Sequence, residues 1–208
     1  MGSLPHGERH TASEVMKMPT LKWRLLTGIA VLATIAVGTV WFLRREGQAD
    51  LSRGSIPATL AVDGASFLDG GEMPQRLTCD GDNLSPDIKI PPVPPATKNL
   101  VVVMDDLDAP FGFIHWLVYD IPPSVREIAE GASSRAQLPP HAAEGTNDFG
   151  RMHYDGPCPP SGRHRYRLGL YAIDVSLGVP AGETQAKLAA AVSGHILARG
   201  QIIGIYSH

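Results

Sequence analysis

The sequence predicts an all-β body of two packed sheets behind one N-terminal transmembrane helix, and three observations carry that prediction. The 208 residues include 18 Pro and 22 Gly, which shape turns and break helix interiors. Beyond residue 55 the apolar residues fall into short runs of strand length, each bounded by Pro, Gly or Asp clusters. Before it, Leu25–Leu43 runs 19 residues without a charge, close to the ~20 that cross a bilayer core. A chain of this length suits one globular domain with an appendage rather than two cores.

Residues 1–20, rich in His, Ser, Thr and charge, show no apolar period and read as a disordered tail. The helix expected over 21–45 has defined ends. Trp23 precedes the apolar run, Trp41 and Phe42 close it, and Lys22, Arg24, Arg44 and Arg45 bracket it. The run is apolar on every face, which a small β-body could hardly cover, so residues 25–43 are expected to partner a membrane. A cleaved signal peptide competes with this reading. It is disfavoured by the length of the run and by Arg44-Arg45 standing before the weak small-residue site Gly47-Gln48-Ala49. Arg9, Lys17, Lys22 and Arg24 before the span outnumber Arg44, Arg45 and Arg53 after it, a lean toward a single-pass protein with an extracytoplasmic body. Residues 46–54 read as a polar linker, and the body runs over 55–208.

Within the body, Thr59–Val62, Lys98–Met104, His115–Asp120, Tyr166–Val175 and Gln201–Tyr206 have strand character. Leu100–Met104 is continuously apolar, as expected of a strand covered on both faces, whereas Tyr166–Tyr171 partly alternates. Two packed sheets accommodate both. The proline-dense segments Ile90–Pro95 and Gly156–Pro160 cannot continue a central ladder, because proline has no amide hydrogen. As loops with little conformational freedom to lose, they suit the rim of a pocket. Thr184–Ala198 is the one convincing helix of the body, with Leu188, Ala191, Val192 and His195 at helical spacing, Thr184 as cap and Gly194 as a weak point.

The net charge of -3 is unevenly distributed: residues 1–50 hold six Lys/Arg against four Asp/Glu, the remainder 12 against 17. An acidic body lacks the basic footprint of nucleic-acid binders, so no nucleic-acid partner is expected. The two cysteines, Cys79 and Cys158, lie in no zinc-ligand spacing, so no metal is expected. In an extracytoplasmic body they could form a disulfide; the alternative is two buried, inert thiols.

Three clusters carry the chemistry. Asp105, Asp106 and Asp108 lie directly after a buried-type strand, and three acids in four positions repel one another unless something compensates. By themselves they read as a solvated turn, with a small share for a carboxylate metal site. In Phe113-Ile114-His115-Trp116 a histidine enters an apolar strand and needs a hydrogen-bond partner if buried. Gly156-Pro157-Cys158-Pro159-Pro160-Ser161-Gly162-Arg163-His164-Arg165-Tyr166 joins a rigid loop to imidazole, guanidinium and phenol donors suited to an anion.

In order and spacing these segments resemble the phosphatidylethanolamine-binding protein family, also called Raf-kinase-inhibitor-like proteins, and especially its bacterial branch. Asp106–Pro110 is similar to the family's Asp-Pro-Asp-Ala-Pro motif, with Leu107 in place of the proline, His115-Trp116 to its His-Trp strand, and Gly156–Tyr166 to its Gly-Pro-x-Pro-Pro…His-Arg-Tyr segment. Thr78–Pro86, Asn147–Gly150, Leu170–Asp174 and Gly194–Ala198 are similar as well, so the resemblance spans nearly all of 55–208. It implies a mainly β fold, two antiparallel sheets in a Greek-key β-sandwich with peripheral helices. It implies a ligand site of Asp106, His115, His164 and Tyr166 with Gly156 and Pro157 in its wall, and Asp108 and Trp116 in supporting positions.

The expected function is a non-catalytic module binding a small phosphorylated or anionic ligand of the phosphate or phosphoethanolamine kind, without a cofactor. Asp106 is expected to accept hydrogen bonds from His115 or His164, biasing those imidazoles toward the ligand. The family's second name implies the alternative, an inhibitor docking a protein partner such as a protease or kinase. A hydrolase ranks lower, since no nucleophilic Ser or Cys sits in a recognised elbow.

Overall fold

A computed structural model describes residues 51, 58–64, 66–110 and 112–208 of the chain. The expected tail, the transmembrane helix over 21–45 and the linker, apart from Leu51, lie outside the described residues. Among the described residues no helix is long and apolar enough to cross a membrane. Leu51 departs from the polar-linker expectation: it is buried with Val101, Tyr171 and Leu188.

Among the described residues eight strands follow in order: β1 (Ala58–Thr59), β2 (Ile88–Lys89), β3 (Asn99–Asp106), β4 (Phe113–Ile121), β5 (Glu127–Ile128), β6 (Ala143–Glu144), β7 (Arg163–Ile173) and β8 (Ile196–Ser207). Six of them form one sheet in the order β1-β8-β7-β3-β4-β6, with β1 parallel to β8 and the other neighbours antiparallel. The mainly β class holds, but the two-sheet sandwich needs correction, since the second sheet is only the antiparallel β2–β5 pair of two-residue strands. The segments that would have extended it carry Pro91, Pro92, Pro94 and Pro95 after β2 and Pro122 and Pro123 before β5. Without amide hydrogens they cannot ladder. They cover the sheet as loops instead.

β3 is buried on both faces, as its unbroken apolar run predicts. Leu100, Val102 and Met104 pack with Leu168, Leu170, Ile88 and Ile128 under the proline loops, while Val101 and Val103 pack with Leu117 and Tyr119 under the helix α1 (Gln185–Ala191). That helix is shorter than the expected Thr184–Ala198. Thr184 stands at its N-cap without a side-chain bond, Gly194 adopts a φ of 80°, and the chain turns back so that Ile196 pairs with Ile173. Strand pairing wins over helical periodicity because it gives Ala198 and Ile202 a buried ladder position in a twelve-residue strand. His195 therefore leaves the helix face and bonds Asp174 at 2.8 Å. The one other helix among the described residues is a 3-10 turn, Gln75–Leu77.

Candidate functional site

The predicted residues converge where β3, β4 and β7 end together. Asp106 lies opposite Phe113 on one side and Tyr166 on the other. Between β3 and β4 the register slips: Met104 pairs with Trp116 but Asp105 with Ile114, leaving His115 as the extra residue of a β-bulge. Simple alternation puts His115 and Trp116 on opposite faces. The bulge re-aims His115, as such insertions do, so its ring meets Tyr166 edge-on at 5.3 Å while Trp116 packs in the same core layer.

The three clustered acids are compensated one by one from β7. Asp105 pairs with Arg167 at 2.7 Å, Asp106 with His164 Nδ1 at 2.7 Å, and Asp108 with Arg165 at 2.7 Å. Each carboxylate has its own cation or imidazole, and Asp105, next to Asp106 in an extended strand, faces the other side of the sheet. A shared metal site for the three acids therefore has no support in the arrangement. Asp108 also accepts the Arg165 amide, and the Arg165 guanidinium holds its carboxyl down at about 2.

Asp106 is the organiser. Buried at 4% exposure, it accepts the amides of Asp108 and Ala109 at 2.8 and 3.0 Å on Oδ1 and His164 on Oδ2. Of the two imidazoles expected to bond it, His164 does and His115 does not. His115 Nδ1 lies 2.7 Å from the Asp155 carbonyl, an atom that can only accept, so Nδ1 carries the hydrogen. Burial pushes the His115 pKa down.

Tyr166 completes the group. It is fully buried, and its hydroxyl finds no hydrogen-bond partner at bonding geometry; the nearby Asp106 has both oxygens engaged. Burial, and next the Asp106 charge, push the phenol's pKa upward. A buried hydroxyl left unmatched costs about 1–3 kcal/mol, which a ligand acceptor would recover. Around it stand Phe113, 4.7 Å from Phe149, and Phe149, 5.5 Å from the His115 ring, with the Arg151 guanidinium 5.8 Å over Phe149.

Gly156 and Pro157 are buried in the wall beside this group. The Gly156 amide donates to Asn83 Oδ1 at 2.7 Å, and the Pro157 carbonyl accepts the Cys79 amide at 3.1 Å. Cys79 and Cys158 are joined in a disulfide, on the surface rather than in the core. Trp116 is fully buried, and its indole donates to Glu144 at 2.7 Å.

The model of the phosphatidylethanolamine-binding protein family matches residues 63–207. The chain belongs to the phosphatidylethanolamine-binding protein family. It is 44% identical over 153 residues to a UPF0098 protein of Aquifex aeolicus, covering 72% of this chain and 89% of that one. A UPF0098 protein of Methanothermobacter thermautotrophicus is 40% identical over 142 residues, with 68% and 94% covered. Among solved structures, a phosphatidylethanolamine-binding protein homologue of Chlamydia trachomatis superposes with a TM-score of 0.66 at 33% identity, covering 72% of this chain and 98% of that one. YbcL of E. coli, described as a member of the mammalian family, superposes with a TM-score of 0.68 at 29% identity, covering 73% and 99%.

For this family member, sequence reasoning passed over four residues that build the site. Asn147 clamps the loop beside it, donating to the carbonyl of His153 and to Asp155 Oδ2 while accepting the amides of Phe149 and Arg151. Asp155 orients His115, and Phe113 and Phe149 supply the aromatic rim. The signal was present in Asn147–Gly150, which matches the family, but nothing in that segment alone shows that it folds against β4.

The buried His115 makes stability depend on pH. Its folded pKa lies below the unfolded value of about 6.5, so unfolding takes up a proton as the pH falls through that value, and stability is lost toward acid. Thermal melts between pH 7.5 and 5 should show a steeper fall in Tm for the wild type than for His115→Gln, which cannot titrate. Parallel slopes would refute the assignment.

Proposed function

We propose that this domain is a non-catalytic binding module whose pocket holds a small phosphate-bearing ligand, with inorganic phosphate and phosphoethanolamine as its simplest probes. The observation that carries the reading is the buried, unmatched Tyr166 hydroxyl beside the Asp106–His164 pair. A buried donor with no protein acceptor at bonding geometry is suited to an oxygen brought by a ligand. The aromatic rim of Phe113 and Phe149 favours a ligand with a small organic group attached. The disulfide supports an oxidising, extracytoplasmic setting for the body, with residues 25–43 as its membrane anchor.

Calorimetric titration with phosphate and phosphoethanolamine at pH 7 tests the reading. Tyr166→Phe removes one charge-assisted donor while keeping the ring, a loss of about 1.5–3 kcal/mol or roughly tenfold to a hundredfold in Kd. A wild type that binds neither probe at millimolar concentration, or a folded Tyr166→Phe that binds like the wild type, sinks the proposal. Release of phosphate from phosphoethanolamine would show an enzyme instead.

A further inference from the structure

At the outer side of the Gly156–Cys158 wall the fold gathers a second group of ligating atoms. The sulfurs of Cys79 and Cys158 and a ring nitrogen of His208 lie within 4.8 Å of one another, and all three residues are exposed. We propose that this is a redox-gated metal site: a disulfide when oxidised, and a two-thiolate, one-imidazole site for Zn2+ when reduced. It is separate from the anion pocket and does not depend on what that pocket binds.

The argument is geometric. Zinc holds sulfur at about 2.3 Å and imidazole nitrogen at about 2.0–2.1 Å, so the ligands of one tetrahedral ion stand roughly 3.3–3.8 Å apart. Atoms already within 4.8 Å of one another need only small side-chain rotations once the sulfurs separate. The backbone holds the two cysteines together without the disulfide, because the Cys79 amide donates to the Pro157 carbonyl at 3.1 Å and the Gly156 amide to Asn83 at 2.7 Å. The third ligand is preoriented. Asp80 Oδ2 lies 2.9 Å from His208 Nδ1 and also accepts the Tyr206 hydroxyl, so Nε2 would be the nitrogen that ligates the metal. This carboxylate–imidazole pairing is the arrangement that orients histidines at zinc centres. The three protein ligands leave the fourth position to water. Cysteine spacing gave no hint of such a site, because its third ligand is the residue that follows β8.

The chemistry balances. A dithiol reductant delivers two electrons and two protons to the Cys79–Cys158 bond and becomes a disulfide itself. Zn2+ then displaces both thiol protons into solvent as it binds the two thiolates. Both cysteines are exposed, which gives a reductant access to the loop pair. Since Cys158 adjoins the pocket wall, either the disulfide or the metal cross-links the two loops, which in the metal-free reduced form are joined by the Cys79–Pro157 and Gly156–Asn83 hydrogen bonds alone.

The full-length protein, reduced with a phosphine, freed of metal and titrated with Zn2+ and with Co2+ as a spectroscopic probe, decides the matter. The expected result is one metal per reduced chain, with a thiolate-to-cobalt charge-transfer band, and none per oxidised chain. His208→Ala should weaken Zn2+ at least about tenfold and Asp80→Asn about tenfold, while His153→Ala changes nothing. A reduced chain that takes no metal overturns the proposal, as does equal uptake by His208→Ala or by the oxidised chain. If reduction unfolds the domain, recovery of its near-ultraviolet dichroism on adding Zn2+ supports the site, and failure to recover counts against it.

Discussion

Asp106→Ala should destabilise the domain by about 3 kcal/mol and lower phosphate affinity more than a hundredfold, because one carboxylate serves three partners. Its loss strands the amides of Asp108 and Ala109 and the ring of His164, each removed charge-assisted bond counting for about 1.5–3 kcal/mol before relaxation and water recover part of it. Asp106→Asn separates the two roles. The amide oxygen can still accept the two backbone N–H groups, so the melting temperature should stay within a few degrees of wild type. Its NH2 group, however, faces His164 Nδ1 and can only donate, so the charge-assisted bond that fixes this imidazole is lost. Affinity should then fall about tenfold or more without loss of fold. Thermal melts paired with calorimetry read both quantities. An Asn variant that melts like the Ala variant would mean that charge, not hydrogen-bond geometry, holds the turn.

Gly156→Ala should lower stability by about 1–3 kcal/mol, the usual cost of overpacking, equivalent to roughly 3–10 °C in Tm for a domain of this size. A Cβ at this position meets the Leu77 carbonyl oxygen at 2.2 Å and Thr78 Cα at 2.9 Å, backbone atoms that cannot rotate aside. The loops have little room to part, since Asn83, the Pro157 carbonyl and the Cys79–Cys158 bridge tie them together. The shift must therefore propagate into the wall next to Tyr166, and phosphate affinity should drop along with Tm. A variant with unchanged melting and binding would show that the 77–83 loop moves freely and is no part of the site.

The strands were legible because burial writes itself into residue type. An unbroken run such as Leu100–Met104 is stable only where both faces are covered, and its position in the middle of the six-stranded sheet supplies that cover. The carboxyl end of the body was harder to read. Helical spacing through His195 is a local pattern, and it yielded to the ladder between β7 and β8, whose contacts join residues far apart in the chain. The extent of the second sheet was misjudged for a related reason. Proline content marked the loops but could not show that loops alone would cover one face of the core.

The sequence by itself determined which segments carry chemistry: the clustered acids, the strand histidine and the donor-rich loop before β7 each announce a need for a partner. Only the tertiary structure decided who those partners are. Asp106 holds His164, Asp155 holds His115, Arg165 and Arg167 neutralise the remaining acids, and Tyr166 has no partner at bonding geometry. The physical reason is that hydrogen bonds and ion pairs depend on distances of about 3 Å, and these are set by sheet register. A one-residue bulge at His115, invisible in residue type, changes the face on which an imidazole appears.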